Sequence, residues 1–516
     1  MTGIDTVIDT VVERAAAAGA KWRATPAAER ATILEGVADA LLKHLDELWP
    51  VADAETHLGE VRLRGEVGRT ASQFRLFAEV LRDGGSAEAV IDHADPGATP
   101  PRPDVRRMNH PVGVVAVFAA SNFPFAFSVA GGDTVSALAA GCAVVVKAHE
   151  GHPETSDLTA SVVRQALPDP DLLGLVHGFD AGGPLVRHSL VSAVGFTGSL
   201  AGGTAIKGLI DQRPDPIPFY GELGSVNPVI VLPSADAAAV AAGFAASLTL
   251  GVGQFCTNPG LIFVPEGPDG DTAGDAGGHR VRDAGEFERA IGDAVAATTG
   301  GRMLTAKIHD GYLRAVDRLS VRAGVARLAT GAAGTVADAV TPQVFSVPLE
   351  AFADGLPELG EECFGPAAIV VKYRNPSDLP AVLRRLPGSL TATVHSAVQG
   401  GAQEAAQAGG QRVDQRADQG AGPEEAADIV PVLERLAGRL IWNGWPTGVA
   451  VTWAMHHGGP WPASTAPAHT SVGAAAIRRW LTPVAYQDWP EALLPPELRD
   501  DNPLGVPQRV DGRLRA

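Results

Sequence analysis

Two runs, Val112-Gly113-Val114-Val115-Ala116-Val117-Phe118 and Ala143-Val144-Val145-Val146-Lys147, decide how this chain folds. Each is short, nearly all apolar and rich in β-branched residues, as a strand buried on both faces must be. Between them Phe125 to Ala140 carries small residues at helical spacing and predicts a helix. Strand, helix and strand in this order make a parallel β-α-β unit. The alternation continues with a helix over 154–166, a weaker strand at 172–176 interrupted by Gly174, a strand at 193–196 and a helix over 199–210. Later strands are expected near 229–231, 261–264, 368–371 and 391–394. The fold class is α/β, with two doubly wound parallel-sheet domains. Ligands in such sheets bind at the carboxyl ends of the strands.

Around this framework the chain is simpler. Residues 4–82 read as helices, the first lying on the surface. Thr25 is the expected N-cap of a helix with Pro26 at its first position. A helix over 57–82 carries Arg62, Arg64, Arg69 and Arg75, mostly on a solvated face. Residues 92–104 are rich in Pro, Gly and Asp and form a loop. Segments 266–280 and 399–422 read as exposed insertions, and the tail from 488 as a surface wrap. No internal repeat is found.

At 516 residues the chain exceeds one ordinary core. A net charge of −18 argues against nucleic acid or an anionic membrane as partner. Three cysteines cannot build a disulfide framework, so a cytoplasmic setting is expected. No apolar run approaches the roughly 18 residues of a membrane span, and the first 20 residues do not read as a signal peptide. His456-His457 lacks metal-ligand spacing, so no metal is expected.

Chemistry concentrates in short blocks. Gly251-Val252-Gly253-Gln254-Phe255-Cys256-Thr257-Asn258-Pro259-Gly260 sets one cysteine among glycines before an apolar strand. Such a thiol is either a small core residue or a nucleophile that a substrate can reach. Asn122, after the strand 112–118, is either a turn residue before Phe123-Pro124 or an amide donor to an oxyanion. Lys147 and Glu150 form either a surface ion pair or a grip on ribose hydroxyls. Phe196-Thr197-Gly198-Ser199 ends a strand and opens a helix. Its N–H groups suit a phosphate, and Ser199 equally suits a plain cap. Glu222, between Gly221 and Leu223-Gly224, is a surface turn acid or a base. Cys142 reads as packing.

Taken together, Asn122-Phe123-Pro124, Phe196-Thr197-Gly198-Ser199, Glu222-Leu223-Gly224, Gly253-Gln254-Phe255-Cys256 and Glu362-Cys363-Phe364-Gly365-Pro366 resemble the aldehyde dehydrogenase superfamily in order and separation. Ser121 to Ser128, Lys147-Ala148-His149, Gly224 to Pro228, Cys256 to Gly260, Asn443 to Val449, His457 to Pro460 and Thr470 to Gly473 resemble the 2-oxoglutarate semialdehyde (2,5-dioxopentanoate) dehydrogenases within it.

The resemblance implies three parts: a Rossmann-like cofactor-binding domain over 1–222, a catalytic domain over 223–440, and a C-terminal return and oligomerisation segment over 441–516. It implies Cys256 as nucleophile, Glu222 as the base for hydrolysis and Asn122 as oxyanion donor. Lys147 and Glu150 would hold the adenine ribose, Gly198 and Ser199 the pyrophosphate, and Glu362 with Phe364 the nicotinamide ribose. The cofactor is NAD or NADP: Glu150 favours NAD, but nearby cations could offset it. Arg69, Phe123 and Phe127 fall on the substrate side. Arg69 is either the partner of a substrate carboxylate or a member of an internal salt bridge. Trp442, Trp445, Trp453 and Trp461 would narrow the site or suit a larger aliphatic or aromatic aldehyde. A homodimer or homotetramer is expected. The competing reading is a binding protein of the same fold without turnover.

Overall fold

The apolar runs fold as parallel strands. In the computed structural model, which describes residues 3–267, 285–397 and 422–515, five strands lie in the order Leu173–Val176, Ala143–Lys147, Val114–Phe118, Val191–Thr197 and Phe219–Glu222, all parallel. The three central strands are almost wholly buried because helices cover both faces. Gly174 interrupts its strand for a packing reason. A Cβ there would lie 2.6 Å from Val11 of the helix Gly3–Ala24, so glycine lets that helix close on the sheet.

The chain divides into two units. The first holds 1–222, 450–456 and 468–516, and the second 223–449 and 457–467, so the stretch 441–516 is shared between them. The second unit has its own sheet, in the order Ala326–Thr330, Gln343–Pro348, Ala367–Tyr373, Leu261–Pro265, Val229–Val231, Ser389–His395 and Ala437–Trp442. Among the described residues its strands run parallel except at the Ala326–Thr330 edge, which is antiparallel.

Three local expectations need correction. The helix after Phe118 spans only Gly132–Ala140. The buried Glu66 carboxylate accepts the Phe125 and Ala126 N–H groups at 2.8 and 3.0 Å, which holds the preceding residues in turns. Thr25 is not a cap: its hydroxyl donates to the Lys21 carbonyl of the helix before, and Pro26 takes the N-cap position. The tail does more than wrap. Gln508–Val510 and Arg513–Arg515 join Ala89–Asp92, Val105–Pro111 and Leu481–Gln487 in a further five-stranded sheet. The two expected insertions lie, apart from their outermost residues, outside the described residues.

Candidate active site

In the first unit the singled-out residues gather at the carboxyl edge of the parallel sheet. Asn122 follows Val114–Phe118, Lys147 ends its strand, Gly198 follows Val191–Thr197, and Glu222 ends Phe219–Glu222. Asn122 is 8% exposed, and its carbonyl accepts the Arg62 guanidinium at 3.1 Å. His152, whose pKa burial lowers, pins the start of the same loop by donating from Nε2 to the Ala120 carbonyl at 2.9 Å. Glu222 is 7% exposed, which excludes a surface turn acid.

Lys147 is buried and pairs with the exposed Glu150. Burial raises the Glu150 carboxyl, but the Lys147 hydrogen bond and charge outweigh it and hold it below the usual range. Ser199 caps the helix Leu200–Asp211, accepting the Gly202 N–H at 3.2 Å, and the Gly198 N–H donates to the Glu222 carbonyl at 3.0 Å. Gly198 has no space for a side chain, since a Cβ would lie 2.7 Å from the Phe196 ring. A bare, capped helix start beside a charged carboxylate at one sheet edge suits the pyrophosphate and ribose of a nicotinamide dinucleotide.

Arg62, Glu66 and Arg69 lie at i, i+4 and i+7 on the helix Glu60–Asp83 and so share a face. The Arg62 guanidinium lies 4.5 Å from the Phe123 ring and 3.5 Å from Glu66, and Arg69 lies 5.8 Å from the Phe127 ring. Phe123 and Phe127 meet edge to face at 5.2 Å. Burial pushes the Glu66 carboxyl up, against the pull of Arg62, the two backbone N–H groups and Arg69. Arg64 and Arg75 make exposed pairs, with Glu60 and Asp46 and with Asp39, and Arg64 lies 5.6 Å from the Trp49 ring. Arg62 and Glu66 went unassigned in the sequence because helix spacing alone does not say which face is covered.

In the second unit the cysteine loop is pinned from several sides. It leaves the helix Ala237–Thr249 through Gly251, Val252 and Gly253, all at positive φ (57°, 59° and 67°). For a β-branched residue this is a strained conformation, which the surroundings must impose. Gly253 is obligatory, because a Cβ would run into the backbone of Gly365 and Pro366. Asn258 donates to the Gly365 carbonyl at 3.1 Å, and Gln254 accepts the Leu304 N–H at 2.9 Å. The wholly buried Asn227 donates to the Cys256 and Asn258 carbonyls at 2.8 and 2.9 Å. Asn227 was quoted in the sequence only as part of a motif.

Cys256 is half-buried, with Sγ 3.7 Å from Nε2 of the buried His457. Glu362 is half-buried against Gly224, where a Cβ would lie 2.5 Å from its Oε2. Burial pushes its carboxyl up to about 7, opposed by a hydrogen bond from the Ser225 backbone. Burial also lifts Cys142 to about 11 and Cys363 to about 12. Ser225, Gly253, Phe255, Glu362 and Phe364 line one cavity of this unit. Trp445 turns inward onto Phe244 and His395, with Gly243 leaving it room, while Trp442 and Trp461 stay about half exposed.

The profile of the aldehyde dehydrogenase family matches residues 3–410. The chain belongs to that family. It is an NAD(P)-dependent aldehyde dehydrogenase. It is 45% identical, over 95% of its own length and 89% of the relative's, to alpha-ketoglutaric semialdehyde dehydrogenase 2 of Azospirillum brasilense. It is 40% identical to alpha-ketoglutaric semialdehyde dehydrogenase of Acinetobacter baylyi, over 98% and 91%. PnpE in complex with nicotinamide adenine dinucleotide shares the fold, with a TM-score of 0.75, 22% identity and coverage of 96% and 92%. A putative aldehyde dehydrogenase from Burkholderia cenocepacia does so at 0.74, 20%, 94% and 92%. No helix of this dehydrogenase among the described residues is long and apolar enough to cross a membrane.

Proposed function

We propose that this chain oxidises 2-oxoglutarate semialdehyde to 2-oxoglutarate. The observation that carries the substrate is identity of 45% and 40%, along nearly the whole chain, to two enzymes named for that aldehyde. The paired guanidiniums of Arg62 and Arg69 over Phe123 and Phe127 support it. Arg69 is the proposed partner of the substrate's distal carboxylate, and the two rings flank the carbon chain.

Cys256 is the proposed nucleophile. Its Sγ bonds to the aldehyde carbon, and the carbonyl oxygen takes up negative charge. The Asn122 amide and the Cys256 backbone N–H are the proposed donors to that oxygen. A bound nicotinamide cofactor supplies the acceptor for the hydride that the tetrahedral carbon gives up. Glu222 then draws a proton from water, the water oxygen bonds to the acyl carbon, and the C–S bond breaks. Lys147 and Glu150 are assigned to the adenine ribose, Gly198 and Ser199 to the pyrophosphate, and Glu362 and Phe364 to the nicotinamide ribose. The exposed Glu150 carboxylate favours NAD over NADP, since it can accept from a 2′-hydroxyl and repels a 2′-phosphate. A cytoplasmic homodimer or homotetramer is the proposed state, read by sedimentation.

The test is absorbance of the reduced cofactor, with NAD and with NADP, on 2-oxoglutarate semialdehyde against aliphatic and aromatic aldehydes. Preference for the acidic aldehyde, abolished by Cys256→Ser, is expected. A higher kcat/KM for an aromatic or fatty aldehyde would overturn the substrate.

A further inference from the structure

An ordinary thiol has a pKa of about 8.5 and is mostly protonated at neutral pH, so a cysteine nucleophile needs something that favours its thiolate. In this unit an imidazole stands beside the sulfur, 3.7 Å from it. Its position follows from local packing. His457 opens the segment His457-Gly458-Gly459-Pro460, which lies along the start of the strand Ser389–His395. A Cβ on Gly459 would run into the Ser389 carbonyl, and one on Gly388 into Pro460 and Trp461. The Ala463 carbonyl accepts the Leu223 N–H at 2.8 Å, which fixes the far end. The imidazole is thereby held 3% exposed. The facing cysteine is fixed independently, by the Asn227 bonds to its own carbonyl and to that of Asn258 and by the Asn258 bond to the Gly365 carbonyl.

The geometry points to His457 as the proton partner of Cys256, an assignment that rests on Cys256 being the nucleophile. The S–H proton moves to Nε2, leaving a thiolate and an imidazolium, with Nε2–H then donating to sulfur across the 3.7 Å contact. When hydrolysis releases the acyl group the thiolate returns to the same partner, so nothing is consumed. Other charged or titratable groups stand around the loop. Arg439, whose guanidinium donates to the Gly448 and Pro446 carbonyls at 3.0 and 2.8 Å, interacts electrostatically with Cys256. Glu362 and Cys363 lie on the turn packed against Gly253 and Asn258. Burial lowers the pKa of His456, the residue before His457 in the chain.

The experiment is alkylation of the full chain by iodoacetamide from pH 5 to 10, with each cysteine followed by peptide mass spectrometry. Cys142 and Cys363, lifted to about 11 and about 12, should stay largely unlabelled below pH 9. The Cys256 rate should titrate at least about 1.5 units below the ordinary thiol value of about 8.5. In His457→Asn the inflection should return toward that value, with a rate at pH 6.5 at least about tenfold lower. His457→Gln is the second variant should the first misfold, with thermal midpoints reported for both. A wild-type inflection near 8.5 would overturn the pair. So would a profile unmoved in the variants, which would leave Arg439 as the source of any shift. Alkylation needs neither aldehyde nor cofactor, so it judges the pair separately from the nucleophile reading. That reading fails instead if Cys256→Ser still produces reduced cofactor.

Discussion

Replacing Asn227 should do two separable things, and their sizes follow from its bonds. Its amide nitrogen donates to the Cys256 and Asn258 carbonyls, and its Oδ1 accepts the Ser225 hydroxyl at 2.7 Å and the Thr391 hydroxyl at 3.0 Å. The residue also sits at φ 47°. Asn227→Ala removes these four hydrogen bonds, at about 1 kcal/mol net each, and two longer ones, to the Ser225 carbonyl at 3.5 Å and from the Thr391 N–H at 3.3 Å, which add little. A left-handed conformation that alanine resists adds about 1 kcal/mol. The total of about 5 kcal/mol approaches the whole margin of an ordinary domain, roughly 5–15 kcal/mol. Freed from two anchors, the cysteine loop can drift, and a displacement of about 1 Å at reacting atoms costs about 100-fold in rate. Asn227→Asp keeps the acceptor oxygen but turns a second oxygen toward two carbonyls, so it should lose rate similarly. Thr391→Val deletes only the hydroxyl bond and keeps the Thr391 N–H bond, so it costs about 1 kcal/mol and should keep kcat within about twofold. Urea unfolding followed by circular dichroism gives the stability, and initial rates give kcat. An Asn227→Ala enzyme with wild-type kcat would refute the anchoring argument. Equal rate losses in Asn227→Ala and Thr391→Val would refute it as well, since the effect would then be general loosening.

Three further outcomes follow. Gly253→Ala has no room for its methyl against the Gly365–Pro366 backbone and should lose most activity, read as initial rate at matched folded fraction; a fully active variant would show that the loop can move aside. Arg69→Ala should raise KM for acidic aldehydes far more than for neutral ones, and equal changes would dismiss a carboxylate-binding role. The tail should be held most firmly between about pH 4 and 6.5, bounded by the ordinary values of Asp and His. Hydrogen bonds that the His93 ring donates to Asp511 and Asp500 raise its pKa, so its contribution is complete below the ordinary His value and is lost as pH rises through the raised one. The Asp511 and Asp500 carboxyls are held low, the first mainly by the His93 bond, the second by Arg106 and His93 against its burial. Their contribution is complete above the ordinary Asp value and is lost as pH falls through the lowered ones. Hydrogen exchange of residues 508–515 measures this, and His93→Asn should flatten the high-pH limb; an unchanged limb would reject the account.

The chain by itself determined the parallel framework and which residues of the first unit stand at its carboxyl edge. Runs such as Val114–Phe118 and Ala143–Lys147 are apolar on both faces, and only strands covered on both sides have that composition. In that sheet the rule that ligands meet the carboxyl ends of strands found Asn122, Lys147, Gly198 and Glu222 without coordinates. It does not describe the second unit, where Asn227, Cys256 and the Glu362-to-Pro366 turn all precede their strands and share the amino edge of the sheet. Neighbouring parallel strands bring such loops together whatever their distance in sequence, and no local pattern announces it. The same holds for the tail, whose Gln508 pairs with Ala89, and for His457, 201 residues from Cys256. Periodicity and turn chemistry act over a few neighbours and are legible in order, whereas strand order and glycine-permitted contacts arise only once the sheet has closed.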